Sequence, residues 1–141
     1  MTGTPQPTCA HVYEHQVASE DCVARGGFEV LSTPSVVRLM EVAAMEAMQQ
    51  QLAGGEESVG TTVAISHLLP TLAGQTVTVS ARELPGNGAQ RRFEVTVSEG
   101  GEVVANGHHD RFIVNSKRFA RRLSARADTL KRDDETVPLG T

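Results

Sequence analysis

The chain is poor in cysteine, in aromatic residues and in long apolar runs, and each shortage excludes a class of protein. Two cysteines, Cys9 and Cys22, make no disulfide framework, and their spacing matches no zinc pattern. A reducing, cytoplasmic setting is therefore expected. With no Trp, one Tyr and four Phe there is no platform for stacking bases, and a net charge of −4 gives no general attraction to nucleic acid. No apolar stretch approaches the roughly 20 residues of a membrane span. The opening Met-Thr-Gly-Thr-Pro-Gln-Pro-Thr lacks the basic and hydrophobic regions of a signal peptide. Neither a nucleic-acid nor a membrane partner is expected. What remains, at 141 residues, is one domain long enough to bury a core without crosslinks.

What is present begins with a helix. Thr33 to Leu52 opens on Ser32 or Thr33 as N-cap, carries Pro34 in the first turn, and meets Gly54-Gly55, which predict its end. At about 100° per residue, Val37, Met40, Ala44, Met48 and Leu52 line one apolar stripe. Glu41 projects into that stripe, where an ionised carboxylate is costly unless it is paired or reaches the edge.

Around this helix the period changes to two. Cys9–Ala18 reads as a short strand, and 19–31, with Gly26-Gly27, as an irregular loop leading to the helix. After the helix come four strands: 59–69 up to Pro70, 75–84, 91–98 and 103–115. Pro85-Gly-Asn-Gly and Glu99-Gly-Gly supply turns, and Asn106-Gly107 suggests a bulge. Short turns require antiparallel neighbours, and one long helix is the only element available to cover the sheet. The expected class is α+β, a curved antiparallel sheet wrapped around one long central helix, which is the hot-dog fold. Residues 1–8 are expected to be disordered, 9–119 to form the domain, and 120–141 a basic C-terminal helix and tail. Seven of the 13 basic residues fall between Lys117 and Arg132. That region is either a solvated helix or a patch that attracts the phosphates of coenzyme A or an acyl carrier.

The residues with chemistry are few. Alternation puts Val63, Ile65 and His67 on one face, so His67 and Glu41 both point toward the core and each needs a partner. A histidine in such a strand is more often structural, but an imidazole and a carboxylate on faces that should meet form an acid–base pair. His108-His109-Asp110 alternates between faces and makes no metal site, and His11 and His15 share a face without a third ligand. No metal is expected.

Thr33, then Glu41 within Leu-Met-Glu, then Gly60 opening Gly-Thr-Thr-Val-Ala-Ile-Ser-His resembles the fluoroacetyl-CoA thioesterase family. Glu41 and His67 are 26 positions apart and Gly60 and His67 seven, as in that family. The resemblance covers roughly residues 28–119, and includes Leu-Ala-Gly-Gln-Thr-Val-Thr-Val and Asp-Arg-Phe-Ile-Val downstream. It implies catalytic roles for Thr33, Glu41 and His67, and a place beside the thioester for Gly60, Arg111 and Phe28. It further implies hydrolysis of a small acyl-CoA or acyl-carrier thioester, with coenzyme A only as part of the substrate and no other cofactor. One departure stands out. Where members selective for fluoroacetyl carry an aromatic lid, this chain has Ala24-Arg-Gly-Gly-Phe28, so fluoroacetyl selectivity is not expected. The alternatives are a hot-dog hydratase or dehydratase, whose signature is missing, and a non-catalytic acyl-thioester binder.

Thr33 and Glu41, eight residues apart on one helix, are separated by about 12 Å along its axis. One small carbonyl cannot touch both in a single chain. A homodimer with a shared site is therefore expected.

Overall fold

In the computed structural model the described residues are 10–86 and 88–136, and the expectation of a disordered 1–8 lies outside them. The chain forms β1 (Ala10–Gln16), a 3-10 turn at Ser19–Asp21, β2 (Cys22–Arg25), β3 (Phe28–Leu31), α1 (Thr33–Gln49), β4 (Glu56–His67), β5 (Thr76–Glu83), β6 (Gln90–Glu99), β7 (Glu102–Asn115) and α2 (Ser116–Thr136). Five strands make one antiparallel sheet in the order β1-β5-β6-β7-β4.

The helix lies on that sheet through an apolar face rotated from the one expected. Met40, Ala44 and Met48 are buried as read from the sequence, but Val36, Leu39, Ala43 and Ala47 join them, while Val37 and Leu52 are only half-buried. Three alanines on this face let the helix sit close to Val77, Val79 and Ala81 of β5 and to Phe93, Val95 and Val97 of β6. Phe93 is fully buried there, and its truncation to Ala would cost about 3–5 kcal/mol. The rotation leaves Glu41 at the edge of the stripe, its side chain 45% exposed. An incompletely buried carboxylate carries a smaller desolvation cost than the sequence pattern suggested.

Ser32 is the N-cap: its Oγ accepts from the Ser35 backbone N–H and donates to Ser35 Oγ at 2.8 Å. Thr33 is thus the first helical residue, with its hydroxyl released from capping. The helix stops at Gln49, before Leu52, and Gly54-Gly55 instead turn the chain into β4, Gly55 at φ 81°.

Three expectations are corrected by the backbone. The segment before the helix is no irregular loop: after the 3-10 turn, β2 and β3 pair as a hairpin whose two-residue turn is Gly26-Gly27, at φ 57° and 83°. Two consecutive positive φ values favour glycine and match the twist of a tight hairpin. Asn106-Gly107 is no bulge, since it pairs regularly with β4 and β6. Glycine is required at 107 because a Cβ would fall 2.1 Å from the Ala64 carbonyl oxygen. The bulges lie elsewhere, between Gly60 and Thr62 on β4 and opposite the Val97–Ser98 step of β6. Finally, the basic C-terminal helix, α2, starts at Ser116, ahead of the expected 120, and continues through Asp133-Asp134. It starts where Asn115 Oδ1 accepts from the Arg118 N–H, and most of its described side chains are exposed.

Candidate active site

The bulge on β4 decides which residues share a face. Gly60 pairs with Arg111 and Thr62 with Asp110, so Thr61 is the extra residue. An odd spacing of seven would put Gly60 and His67 on opposite faces of a regular strand. With Thr61 bulged, Gly60, Val63, Ile65 and His67 oppose Arg111, His109, Gly107 and Ala105 on the side that faces α1.

Within the chain these residues gather in two clusters. At the start of α1, Thr33 Oγ1 is 2.9 Å from His67 Nδ1. The other ring nitrogen, Nε2, is buried and meets no hydrogen-bond partner among the described residues. A buried polar atom left this way is a liability unless something else reaches it. Two turns further along the helix, Glu41 Oε2 lies 3.9 Å from Arg111 Nη1. Arg111 is buried and tightly held: Nε donates to Ser58 Oγ and Nη2 to the Ser58 carbonyl, both at 2.9 Å. Nη1 also approaches His109 Nε2 at 3.2 Å, and His109 Nδ1 lies 2.9 Å from the Thr62 carbonyl.

Expected Glu41–His67 contact is therefore absent within one chain. His67 pairs with the register of Ala105 and Gly60 with that of Arg111, six residues away along β7. Six residues of strand span about 20 Å, so the two ends of β4 carry separate halves of the candidate set.

The Glu41 cluster borders an open recess of about 170 Å³ lined by Glu41, Gly60, Thr61, Thr62, Val63 and His109. Gly60 keeps it open. A Cβ there would stand 3.1 Å from both Glu41 Oε2 and His109 Cε1, and 3.4 Å from Arg111 Nη1. Burial, the largest effect, lowers the pKa of His109; the hydrogen bond to Thr62 opposes it, the Arg111 charge lowers it further, and Glu41 and Asp110 raise it more weakly. Burial also lowers Arg111, with Glu41 pulling it back up. An arginine starts so high that it stays a cation. The recess thus holds a fixed positive charge beside a half-exposed carboxylate.

Phe28 opens β3 and is 62% exposed on the hairpin, five residues before Thr33. Two of the other histidines are engaged separately, His11 with Glu46 and His15 with Asp21. No group of three His, Cys, Asp or Glu among the described residues could hold a metal ion. The sequence pattern offered His109 only as a metal ligand, which was excluded, and gave no role to Ser58. The His109-Asp-Arg111 spacing of two held the missing signal, since it places both side chains on the inward face of one strand.

A family model for the fluoroacetyl-CoA-specific thioesterase FlK matches residues 12–117. The chain belongs to the FlK family. A fluoroacetyl-CoA thioesterase from Streptantibioticus cattleyicolor is 34% identical over 91 residues, covering 64% of this chain and 66%, just under two thirds, of that relative. The crystal structure of a point mutant of FlK superposes with a TM-score of 0.77 and 25% identity, covering 88% of this chain and 99% of that one. A thioesterase superfamily member from Thermus thermophilus gives 0.77 and 25%, covering 91% and 99%. A hot-dog-like protein from Thermanaerovibrio acidaminovorans, at 22% identity, shares the fold with a TM-score of 0.78, covering 85% of this chain and 92% of its own. This FlK family chain is accordingly a hot-dog protein of class α+β, as its sequence pattern implied.

Proposed function

We propose that this protein is an acyl-CoA thioesterase that hydrolyses a small acyl thioester, with each site assembled from two copies of the chain. The observation that carries the reading is the division of the candidate residues: Thr33 and His67 at one end of β4, Glu41, Gly60 and Arg111 at the other. β4 is an edge strand, with Val63 exposed at its middle and Leu68 just beyond its end. Unpaired edges with apolar side chains favour pairing with another chain, and C₂ dimers are the commonest closed assembly. The midpoint between Gly60 and His67 falls between Val63 and Ala64. A two-fold axis there exchanges the strand's ends and brings Glu41 of one copy toward the Thr33–His67 pair of the other. His67 Nε2, unpartnered among the described residues, then faces the reacting groups.

The recess volume suits an acyl group of a few heavy atoms. Hydrolysis adds a water oxygen to the thioester carbonyl carbon, breaks the C–S bond and returns a proton to the departing thiolate. Glu41 serves on the carbonyl side, as base toward water or as nucleophile, and His67 on the leaving-group side. Thr33 orients the His67 ring through Nδ1, and Gly60 leaves room for the acyl carbon chain. A point mutant of FlK has been crystallised with fluoroacetate and CoA, which supports coenzyme A as the carrier here. Coenzyme A enters only as part of the substrate. Among the described residues no helix is long and apolar enough to cross a membrane, and Cys22 is a free thiol; a cytoplasmic place of action fits both.

Release of free CoA from a panel of short acyl-CoAs tests the reading. Hydrolysis liberates thiol, hydration of an enoyl thioester does not, and a binder does neither. A panel with no thiol release above the uncatalysed rate would overturn it.

A further inference from the structure

His109 is 2% exposed, faces the acyl recess with Cε1, and uses both ring nitrogens. A carbonyl can only accept, so the bond to Thr62 places the ring proton on Nδ1. Nε2 is then a lone-pair acceptor, and the group it faces is an Arg111 N–H. The two bonds allow one state only, the neutral imidazole protonated at Nδ1. An imidazolium would set an N–H against an N–H and a cation against a cation, 3.2 Å apart, in a buried site.

We propose that His109 is a positioning residue for the thioesterase site: its Nε2 lone pair holds the Arg111 guanidinium at the wall of the acyl recess, and protonation of the ring releases it. The proposal rests on the thioesterase reading above. Ser58 fixes Arg111 Nε and Nη2 but leaves Nη1, the atom nearest both Glu41 and Gly60, without any other short partner. His109 therefore completes, together with Ser58, the acceptors around the planar guanidinium, on the side nearest the carboxylate and the substrate. The charged groups facing the ring are Glu41 from α1 and Arg111 and Asp110 from β7. From β4 it meets the uncharged Gly60, Thr62 and Val63, and its β6 register partner is Phe93. Both carboxylates favour a charged ring only weakly: Glu41 is half-exposed, and Asp110, the next residue along β7, is engaged by Arg92, so neither compensates a second buried cation.

The consequence is an acid limb in kcat/KM that belongs to His109. Three measurements on the full-length protein test it. His109→Leu removes the acceptor and should lower kcat/KM for acetyl-CoA by at least about tenfold at neutral pH. His109→Gln keeps an acceptor for Arg111 and a donor for Thr62; it should retain neutral-pH activity within about threefold and lose the acid limb. In the wild-type protein, 15N NMR of the histidine rings should show His109 as the neutral tautomer protonated at Nδ1. The Arg111 side-chain resonances should shift as His109 titrates. Wild-type kcat/KM and an unchanged acid limb in both variants would overturn the proposal, as would a His109 ring protonated at Nε2. If His109→Leu fails to fold, the glutamine variant and the ring tautomer decide. The tautomer and its coupling to Arg111 are read without substrate, so a failure of the thioesterase reading shows separately, as absent thiol release with the His109–Arg111 coupling intact.

Discussion

Gly60 and His67 occupy opposite ends of one edge strand yet face the same side of the sheet, because the single bulged residue Thr61 lies between them. The strand thus presents an open, side-chain-free position beside Glu41 and an imidazole held by Thr33, about 20 Å apart. Neither end holds the full set of groups for thioester hydrolysis.

Removing either key side chain should abolish turnover without unfolding the protein. Glu41 is half-exposed, and His67 makes one hydrogen bond, to Thr33. Glu41→Ala and His67→Ala should each lower kcat/KM by about 10²-fold or more and leave the melting temperature within a few degrees. Near-wild-type turnover in either variant would exclude that residue from the chemistry.

Subunit mixing distinguishes how the site is divided. Heterodimers of Thr33→Ala with Glu41→Ala carry one intact site, so random exchange should restore about a quarter of wild-type activity. Thr33→Ala mixed with His67→Ala should restore none, because these two residues serve the same half-site. Equal recovery in both mixtures, or none in a proven dimer, contradicts the arrangement.

Selectivity for fluoroacetyl over acetyl should be weak. The hairpin tip is Gly26-Gly27 at positive φ, and Phe28 is exposed beyond it, so no aromatic lid closes from the turn. A difference of one small substituent is worth only about 1–3 kcal/mol even in a well-packed pocket. Competition between fluoroacetyl-CoA and acetyl-CoA measures the ratio of kcat/KM directly, and a value of several thousand would place a lid elsewhere in the chain.

Arg118 and Arg122 of α2, with Phe112 and Phe119, line a cleft of about 190 Å³ against the end of β7. One of its strand residues, Phe112, follows Arg111 directly in sequence. If this helix draws in the phosphates of the carrier, Arg118→Ala/Arg122→Ala should raise KM several-fold at low salt, with kcat nearly constant and the difference vanishing at high ionic strength. A KM unchanged at low salt returns α2 to a solvated helix.

His109 should also leave a mark on stability. Its folded pKa is lowered by burial from the ordinary value near 6.5, so the unfolded chain takes up the proton first as pH falls. The contribution of neutral His109 to stability is thus complete above about pH 6.5 and is lost as pH drops from there toward the folded value. Denaturant unfolding of wild type and His109→Gln at a series of pH values should diverge in that window, the wild type losing more. Parallel curves would mean that His109 protonates as readily folded as unfolded.

The α+β class, the five strands of the main sheet and the long helix were determined by the sequence itself, because periods of two and of 3.6 are local properties of the chain. Pro34 and Ser32 near the helix start, and the turns around Pro85 and Gly100, marked boundaries for the same reason. Glu41 and His67 were legible as candidates from their types and spacing, Thr33 and Gly60 only through the family resemblance. Their partners were not. Whether His67 meets Glu41 or Thr33 depends on where β4 lies across α1 and on one bulge at Thr61, and a bulge leaves no periodic trace in a strand already rich in threonine. Arg111 was placed by resemblance, but its clamp of Ser58 and His109 exists only once β4 and β7 are in register, 51 to 53 residues apart in the chain. Long-range register, set by how a whole sheet packs under one helix, decided those contacts, and no local pattern of residues encodes it.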